Sequence, residues 1–304
     1  RHVGVELEIE DWEKVGLEIP MLVNLQPAGK YLGEDFHRAG GVPAVMNALL
    51  KAGKLHDSAI TVNGKTVADN YADTTTKDTE VIRTFLKPML ENAGFIVLKG
   101  NIFDSAVMKT SVISDSFRSQ YLDKPGSLNI FEARAIVFEG PEDYHSRIND
   151  PQLNIDVDCI LVIRGCGPVG YPGSAEVVNM QPPDRLIREG ILELPTLGDG
   201  RQSGTSASPS ILNASPESAV GGGLALLKTG DMLRIDLNQG SLDVLLDESE
   251  LQKRRGQLKT EVIENQTPWQ EIYRNTVGQL SSGGIIELAA KYRKIRNTIP
   301  RHSH

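Results

Sequence analysis

Cysteine is scarce: the 304 residues contain two, Cys159 and Cys166. Two thiols exclude a disulfide framework and suit a reducing, cytoplasmic setting. Positive charge is also short, with 32 Lys and Arg against 40 Asp and Glu and a net charge of −8. That balance argues against a nucleic-acid partner, which needs a basic stripe for phosphates, while a local cluster of donors can still serve a small anion. No apolar run approaches the roughly 18 residues of a membrane span, so no membrane partner is expected. No signal-peptide pattern opens the chain, and its first residue is Arg rather than Met. The opening "RHVGVELEIEDWEKVG" reads as the interior of something longer, so a fragment or processed form is expected. Internal repeats and low-complexity tracts are absent too.

What is present is globular. Hydrophobic residues make up 39% and charged residues 24% of the chain, and its length favours two domains over one. The first part mixes short apolar runs with helical patterns. "IPMLVNLQPAG" reads as a buried strand entering a loop. "EDFHRAGGVPAVMNALLKAG" reads as a helix opening near Pro43 and closing at Gly53, with Ala44, Val45, Ala48 and Leu49 on one face. "SAITVNGKTVADNY" is strand-like around an Asn-Gly turn. After a polar connection the pattern becomes β-rich, in "GFIVLKGNIF", "AVMKTSVI", "EARAIVFEG", "CILVIRG", "ILELPTLGDG" and "DMLRIDLNQGSLDVLL". Short β-branched runs at that spacing predict a barrel with helices between strands, "SPESAVGGGLALLKTGD" being the clearest helix. The expected fold class is α/β: the end of an α/β/α layered domain over residues 1–80, a linker over 81–97, a β-barrel over 98–252 and a helical tail over 253–304.

Three glycine-rich elements draw attention: "RGCGPVGYPGSAEVVNM", "GDGRQSGTSASPS" and "AVGGGLALLKTGD". None matches a phosphate-binding P-loop, and in "GCGPVG" Pro168 stands where a dinucleotide-binding helix would begin. Glu176 follows the sharp turn "GYPGSA", where it is either a hard ligand for Mg²⁺ or a solvated glutamate near a helix start. Ser203 lies in a tight loop, where it is either a nucleophile activated by backbone N–H groups or one of many loop hydroxyls. Glycines at −3 and +1 do not make the G-x-S-x-G elbow of acyl-transfer enzymes. His2, His37, His56, His145, His302 and His304 lack the spacing of a helical zinc site. Cys159 reads as a core residue, and Cys166 is one thiol, which does not hold an iron–sulfur cluster. The closing "PRHSH" is either a frayed end or a docked tail that receives a carboxylate.

Taken together, "PAGKYLGEDFHRAGGVPAVM", "KGNIFDSAVMKTS", "RAIVFEGPEDYHSRI", "VIRGCGPVGYPGSAEVVNM", "GDGRQSGTSASPSILNASPESAVGGGLALLKTGD" and "RHSH" resemble, in order and over nearly the whole chain, the dihydroxy-acid dehydratase / 6-phosphogluconate dehydratase family. The wording is most similar to its sugar-acid branch, the arabinonate and xylonate (pentonate) dehydratases. The resemblance implies a hydro-lyase, with an N-terminal α/β domain joined to a barrel like the swivelling domain of aconitases. It makes Ser203 the base that takes the C2 proton as an alkoxide, and Glu176 a Mg²⁺ ligand. Arg201, Thr205, Ser206 and His302 become substrate-binding candidates. It further implies an iron–sulfur cluster, of the 2Fe-2S type, as Lewis acid on the departing 3-hydroxyl, a 2-keto-3-deoxy product, and a homodimer or homotetramer.

The family's cluster cysteines, metal-binding Asp and modified Lys have no counterpart in this sequence and are expected upstream of it. On that reading the 304 residues alone hold half a site and do not turn over. The competing expectations are a dihydroxy-acid dehydratase of branched-chain amino-acid synthesis, a truncated homologue kept as a binding or oligomerisation module, and an aconitase-like isomerase. The last would need more arginines near the serine than Arg201.

Overall fold

A computed structural model describes residues 2, 4–204, 206–259 and 264–292. The chain divides into two compact units, one of Glu13–Phe95 with Thr110–Val112 and the other of Arg1–Trp12, Ile96–Lys109 and Ile113–His304.

In the smaller unit the helix Gly41–Lys51 forms where its period predicts, and ends at Ala52 before Gly53 turns left-handed. Its buried positions are Gly41, Ala44 and Asn47, and Ala44 packs with Ala39, Val81 and Ile82. Asn47 is buried because its amide donates to the carbonyls of Tyr71 (2.9 Å) and Ala72 (2.6 Å). The expected strands are reduced to single bridges, Met21 to Leu90, Val23 to Ile82 and Ile60 to Thr66. "VADNY" is helical, over Val67–Tyr71. The cause is a capping box: Thr66 Oγ1 accepts from the Asp69 N–H, and the Asp69 carboxylate accepts from the Thr66 N–H.

The larger unit is the expected barrel with flanking helices. Its strands are β1 (Phe95–Gly100), β2 (Phe103–Lys109), β3 (Ile130–Phe138), β4 (Cys159–Ile163), β5 (Thr196–Gly198), β6 (Ser210–Ser215), β7 (Met232–Asp236) and β8 (Ser241–Val244). They close in the order β1-β2-β6-β5-β4-β3-β7-β8. Pairing is parallel for β3 with β4, β4 with β5, β5 with β6 and β8 with β1, and antiparallel for β2 with β6, β3 with β7 and β7 with β8.

Alternation in β3 separates inside from outside. Phe131, Ala133, Ala135 and Val137 join the barrel core with Ile160, Val162, Leu197, Leu233 and Leu242. Ile136 and Phe138 take the opposite parity and are buried as well. Every residue of β4 is buried, which is why "CILVI" has no polar positions.

Two sequence expectations fail here. β6 starts at Ser210, the last residue of the serine-rich stretch, and is not among the strands expected from the sequence. The expected helix in "SPESAVGGGLALLKTGD" is two short 3₁₀ turns, Ser218–Val220 and Gly223–Leu226. Between them Gly221 is left-handed (φ +85°), and a Cβ on Gly222 would lie 1.8 Å from the Pro216 carbonyl oxygen. The backbone folds back on itself there instead of extending a helix.

Beyond β8 the described residues include helices over Glu248–Gln257, Pro268–Arg274 and Glu287–Ala290. The first of these docks through Leu251 and through Arg254, whose guanidinium makes two contacts with Asp231, at 2.6 and 3.0 Å. Both side chains are some nine-tenths buried, at 10% and 8% exposure. Removing one partner leaves a buried charge uncompensated. Arg254→Met should therefore lower unfolding stability in urea by about 3 kcal/mol, with Arg254→Met/Asp231→Leu recovering most of the loss.

Candidate functional site

Because β4, β5 and β6 are parallel neighbours, the segments that follow them leave the same end of the barrel. Gly165–Met180 follows β4, Asp199–Pro209 follows β5, and Pro216–Glu217 follows β6. All three motif blocks that carry candidate chemistry are thereby gathered.

Asp199 binds them together. It is fully buried, and its Oδ1 accepts from the Cys166 N–H (2.9 Å). Its Oδ2 accepts from the N–H groups of Gly165 (3.1 Å) and Ser218 (2.9 Å) and from the Ser218 hydroxyl (2.7 Å). Glu217 makes a second clamp, accepting from the N–H groups of Val169 (2.9 Å) and Gly170 (2.8 Å) and from the Gln279 amide (3.0 Å). Burial pushes the Glu217 carboxyl above the usual glutamate range, and those donors hold it back toward the anion. Sequence reasoning assigned neither carboxylate a role, although the isolated acids in "GDG" and "SPES" after apolar runs are the available signal.

Glu176 and Arg201 come side by side through backbone pairing. Arg201 N–H donates to the Ala175 carbonyl (2.9 Å), and Val178 N–H donates to the Arg201 carbonyl (3.1 Å). No helix begins near Glu176; the next starts at Asp184, so the helix-start alternative fails. The tight turn is real, with left-handed Gly173 (φ +95°) and Ser174 (φ +57°) just before it. Arg201 spends its Nε on the Ser174 carbonyl (2.8 Å) and leaves Nη1 3.6 Å from Glu176 Oε1. Both side chains are about half exposed, at 47% and 48%, so this ion pair is weak and exchangeable.

Ser203 follows two residues later, half-buried, and its carbonyl accepts from the Ser206 N–H (3.1 Å), closing a turn. The Ser206 hydroxyl accepts from Gln202 Nε2 (3.1 Å) and from the Ser208 N–H (3.1 Å). Gln202 also donates to the Ser208 carbonyl (2.6 Å). Ser206 thus braces the loop. Lys109, at the end of β2, donates to the Ser206 carbonyl at 3.3 Å, a contact that no sequence motif signalled. Thr205 and His302 lie outside the described residues. His37, His56 and His145 lie on other segments, with His145 ringed against Tyr144 at 4.9 Å.

The two glycines around Ser203 differ. A Cβ on Gly200 would meet the Ala175 carbonyl oxygen and Cys166 Cβ, both at 2.9 Å, whereas one on Gly204 meets nothing within 4 Å. Gly200 is therefore the residue that lets the serine loop close onto the Cys166–Glu176 segment.

Glu176 presents one hard oxygen donor to a partly open surface and fits a Mg²⁺ ion as one ligand of a larger set. No cluster of three or more His, Cys, Asp or Glu able to hold a metal occurs among the described residues. The cysteines do not fit an iron–sulfur cluster. Burial pushes the Cys159 thiol up to about 11, with Asp156 Oδ1 and Arg134 Nη2 each 3.1 Å from its sulfur. Burial pushes Cys166 up further, helped by Asp199.

Comparison with known proteins agrees with this architecture. The dihydroxy-acid/6-phosphogluconate dehydratase C-terminal model matches residues 80–284, and the corresponding N-terminal model matches residues 1–70. The chain belongs to that family. It is 59% identical over 304 residues to a D-xylonate dehydratase of Caulobacter vibrioides, covering all of this chain and 51% of that protein. It is 42% identical over 253 residues to an L-arabinonate dehydratase of Rhizobium leguminosarum, covering 83% of this chain and 42% of that protein. A dihydroxy-acid dehydratase of Acidothermus cellulolyticus is 34% identical over 288 residues, covering 94% of this chain and 48% of that protein. The chain spans about half the length of the curated relatives it matches, and the expected likeness to the sugar-acid branch holds.

Two outcomes follow from the site's packing. Gly200→Ala should cost about 2 kcal/mol in denaturant unfolding, by overpacking against Cys166 and Ala175, while Gly204→Ala should stay within about 0.5 kcal/mol of wild type. With both thiols buried and protonated, neither cysteine should react with an aromatic disulfide reagent at pH 7 until the protein unfolds, and both should react then.

Proposed function

We propose that the chain carries the base half of a hydro-lyase that dehydrates an aldonate, most simply a pentonate, to a 2-keto-3-deoxy acid. The observation that carries this reading is the junction of the Glu176 and Ser203 loops. Glu176 pairs with Arg201 through the backbone, and Ser203 follows Arg201 by two residues, which supports reading the first as a metal-ligating carboxylate and the last as the base. The names of the xylonate and arabinonate dehydratases, at 59% and 42% identity, support the substrate class.

A proton on C2, next to a carboxylate, is weakly acidic, so its removal needs a strong base. The Ser203 alkoxide takes that proton: the C2–H bond breaks, an O–H bond forms at Oγ, and the electron pair passes into the carboxylate as an enediolate. The 3-hydroxyl then leaves with its bonding electrons and takes up one proton, equivalent to the one removed from C2, to depart as water; the resulting enol loses its O–H proton and gains one at C3 as it becomes the keto acid. A Mg²⁺ ion held by Glu176 would supply charge neutralisation for the substrate carboxylate and 2-hydroxyl. Arg201, two residues before the serine, would orient the substrate's anionic end, and the Ser206 hydroxyl would donate to a substrate oxygen. Thr205 and His302 remain substrate-binding proposals on the strength of the family resemblance. The two cysteines, both buried, do not provide for a cluster that would take up the leaving hydroxyl.

These 304 residues are accordingly proposed to be inactive by themselves, with a larger, cytoplasmic, homodimeric or homotetrameric protein as the working enzyme. No helix of the described residues is long and apolar enough to cross a membrane. The dihydroxy-acid dehydratase relative at 34% identity makes dihydroxyisovalerate the alternative substrate to include.

The test is 2-keto acid formation by the intact polypeptide, reconstituted anaerobically with iron, sulfide and Mg²⁺, over a panel of aldonic acids and dihydroxyisovalerate. Pentonate turnover is expected, with Ser203→Ala lowering kcat by about 10³-fold or more. Full activity of Ser203→Ala would remove the serine from the mechanism.

A further inference from the structure

Building on the Ser203 reading, the polar groups around the serine turn can be sorted by whether they are already satisfied. Arg201 is occupied by the Ser174 carbonyl and by Glu176. Glu176 faces Arg201 from the loop after β4. Asp199 is turned inward onto Gly165, Cys166 and Ser218. Lys109, from β2, is the exception. It is half-buried, one of its three N–H donors goes to the Ser206 carbonyl at 3.3 Å, and among the described residues no carboxylate comes within 4.0 Å of it.

A partly desolvated ammonium without a counter-ion is costly unless the site acquires negative charge during its work. Burial already holds the Lys109 ammonium below the usual lysine range, as that imbalance requires. The turn it touches is the one that Ser203 and Ser206 close, through the Ser206 N–H and the Ser203 carbonyl. Negative charge at this turn is what an ionised Ser203 would provide.

We infer that Lys109 is a positioning residue for Ser203: its ammonium fixes the serine turn through the Ser206 carbonyl and supplies the positive charge that favours the Ser203 alkoxide. The serine proton leaves to solvent before the C2 proton is taken, and Lys109 transfers no proton itself. It acts on the base through the turn and through space, not by holding the substrate carboxylate. In this account the cation that activates the serine comes from the barrel wall at β2, and not from Arg201 in the serine's own loop.

The experiment measures the pH dependence of kcat/KM for the reconstituted holoenzyme with Lys109→Met and Lys109→Arg. Alongside it, calorimetry measures aldonate binding to Ser203→Ala with and without Lys109→Met. Losing a nearby cation raises the pKa of the serine hydroxyl, so the limb that rises with pH should move up. The expected shift in Lys109→Met is about one pH unit or more, which is about tenfold or more in rate on that limb. Lys109→Arg should move the limb back toward wild type, and aldonate affinity in the Ser203→Ala background should stay within about twofold. An unshifted limb overturns the inference, whether or not kcat falls. An unshifted limb with aldonate binding weakened tenfold overturns it in favour of a carboxylate-binding lysine. Wild-type turnover by Ser203→Ala would instead overturn the base assignment, and this inference with it. A dead Ser203→Ala beside an unshifted Lys109→Met defeats the lysine's role alone.

Discussion

Everything at this end of the barrel depends on one buried carboxylate. Asp199 directly follows β5 and collects N–H donors from the segments leaving β4 and β6 on either side. Backbone donors at strand exits are otherwise hard to satisfy inside a protein, and an acceptor with two oxygens can take several at once. Through Gly165 and Cys166 it fixes where the Glu176 loop starts, and through Ser218 it fixes where the chain turns after β6. The serine loop, continuous with Asp199, has its origin fixed by the same contact. Glu217 repeats the device one strand over, gripping Val169 and Gly170 and tying Gln279 of the tail region to the loop. Neither acid needs to touch a substrate to matter.

The chemistry proposed for the site follows from how its remaining charges are paired. Arg201 and Glu176 neutralise one another across 3.6 Å at a half-exposed surface, a contact weak enough to yield to a metal ion. Lys109 has no such partner among the described residues, and it is the group whose charge is still to be matched. The loop therefore combines a rigid, satisfied interior with a surface that carries a weakly held carboxylate and, among the described residues, an ammonium with no carboxylate partner. Rigid support beneath reactive groups is what precise positioning requires.

Much of this was legible in the sequence, for identifiable reasons. β3 and β4 announce themselves because "ARAIVF" and "CILVI" are buried on one or both faces and carry the β-branched residues that a sheet selects. β6 does not, because "SILNAS" begins in a run of serines and has two buried hydroxyls of its own, with Ser210 bonded to Thr196 at 2.7 Å. The segment "AVGGGLALL" has helical composition but not helical backbone, since Gly222 lies against Pro216 where no side chain fits. In the smaller unit, the Thr66–Asp69 box was the unread signal that ended a strand and began a helix. At the site, Ser203, Arg201 and Glu176 were nominated by motif, whereas Asp199, Glu217 and Lys109 make their contacts with neighbours 19 to 97 positions away in sequence. Spacing along the chain carries no trace of contacts at that range.

The most direct test of the central claim is a crystal structure of the intact, metal-loaded protein with an aldonate bound in the Ser203→Ala background. Residue 203 should face substrate C2, with Cβ placed so that a serine oxygen would approach within about 3.5 Å. Glu176 should be turned from Arg201 onto the metal. A substrate bound elsewhere, with Glu176 still paired to Arg201 and the serine turn facing solvent, would contradict it.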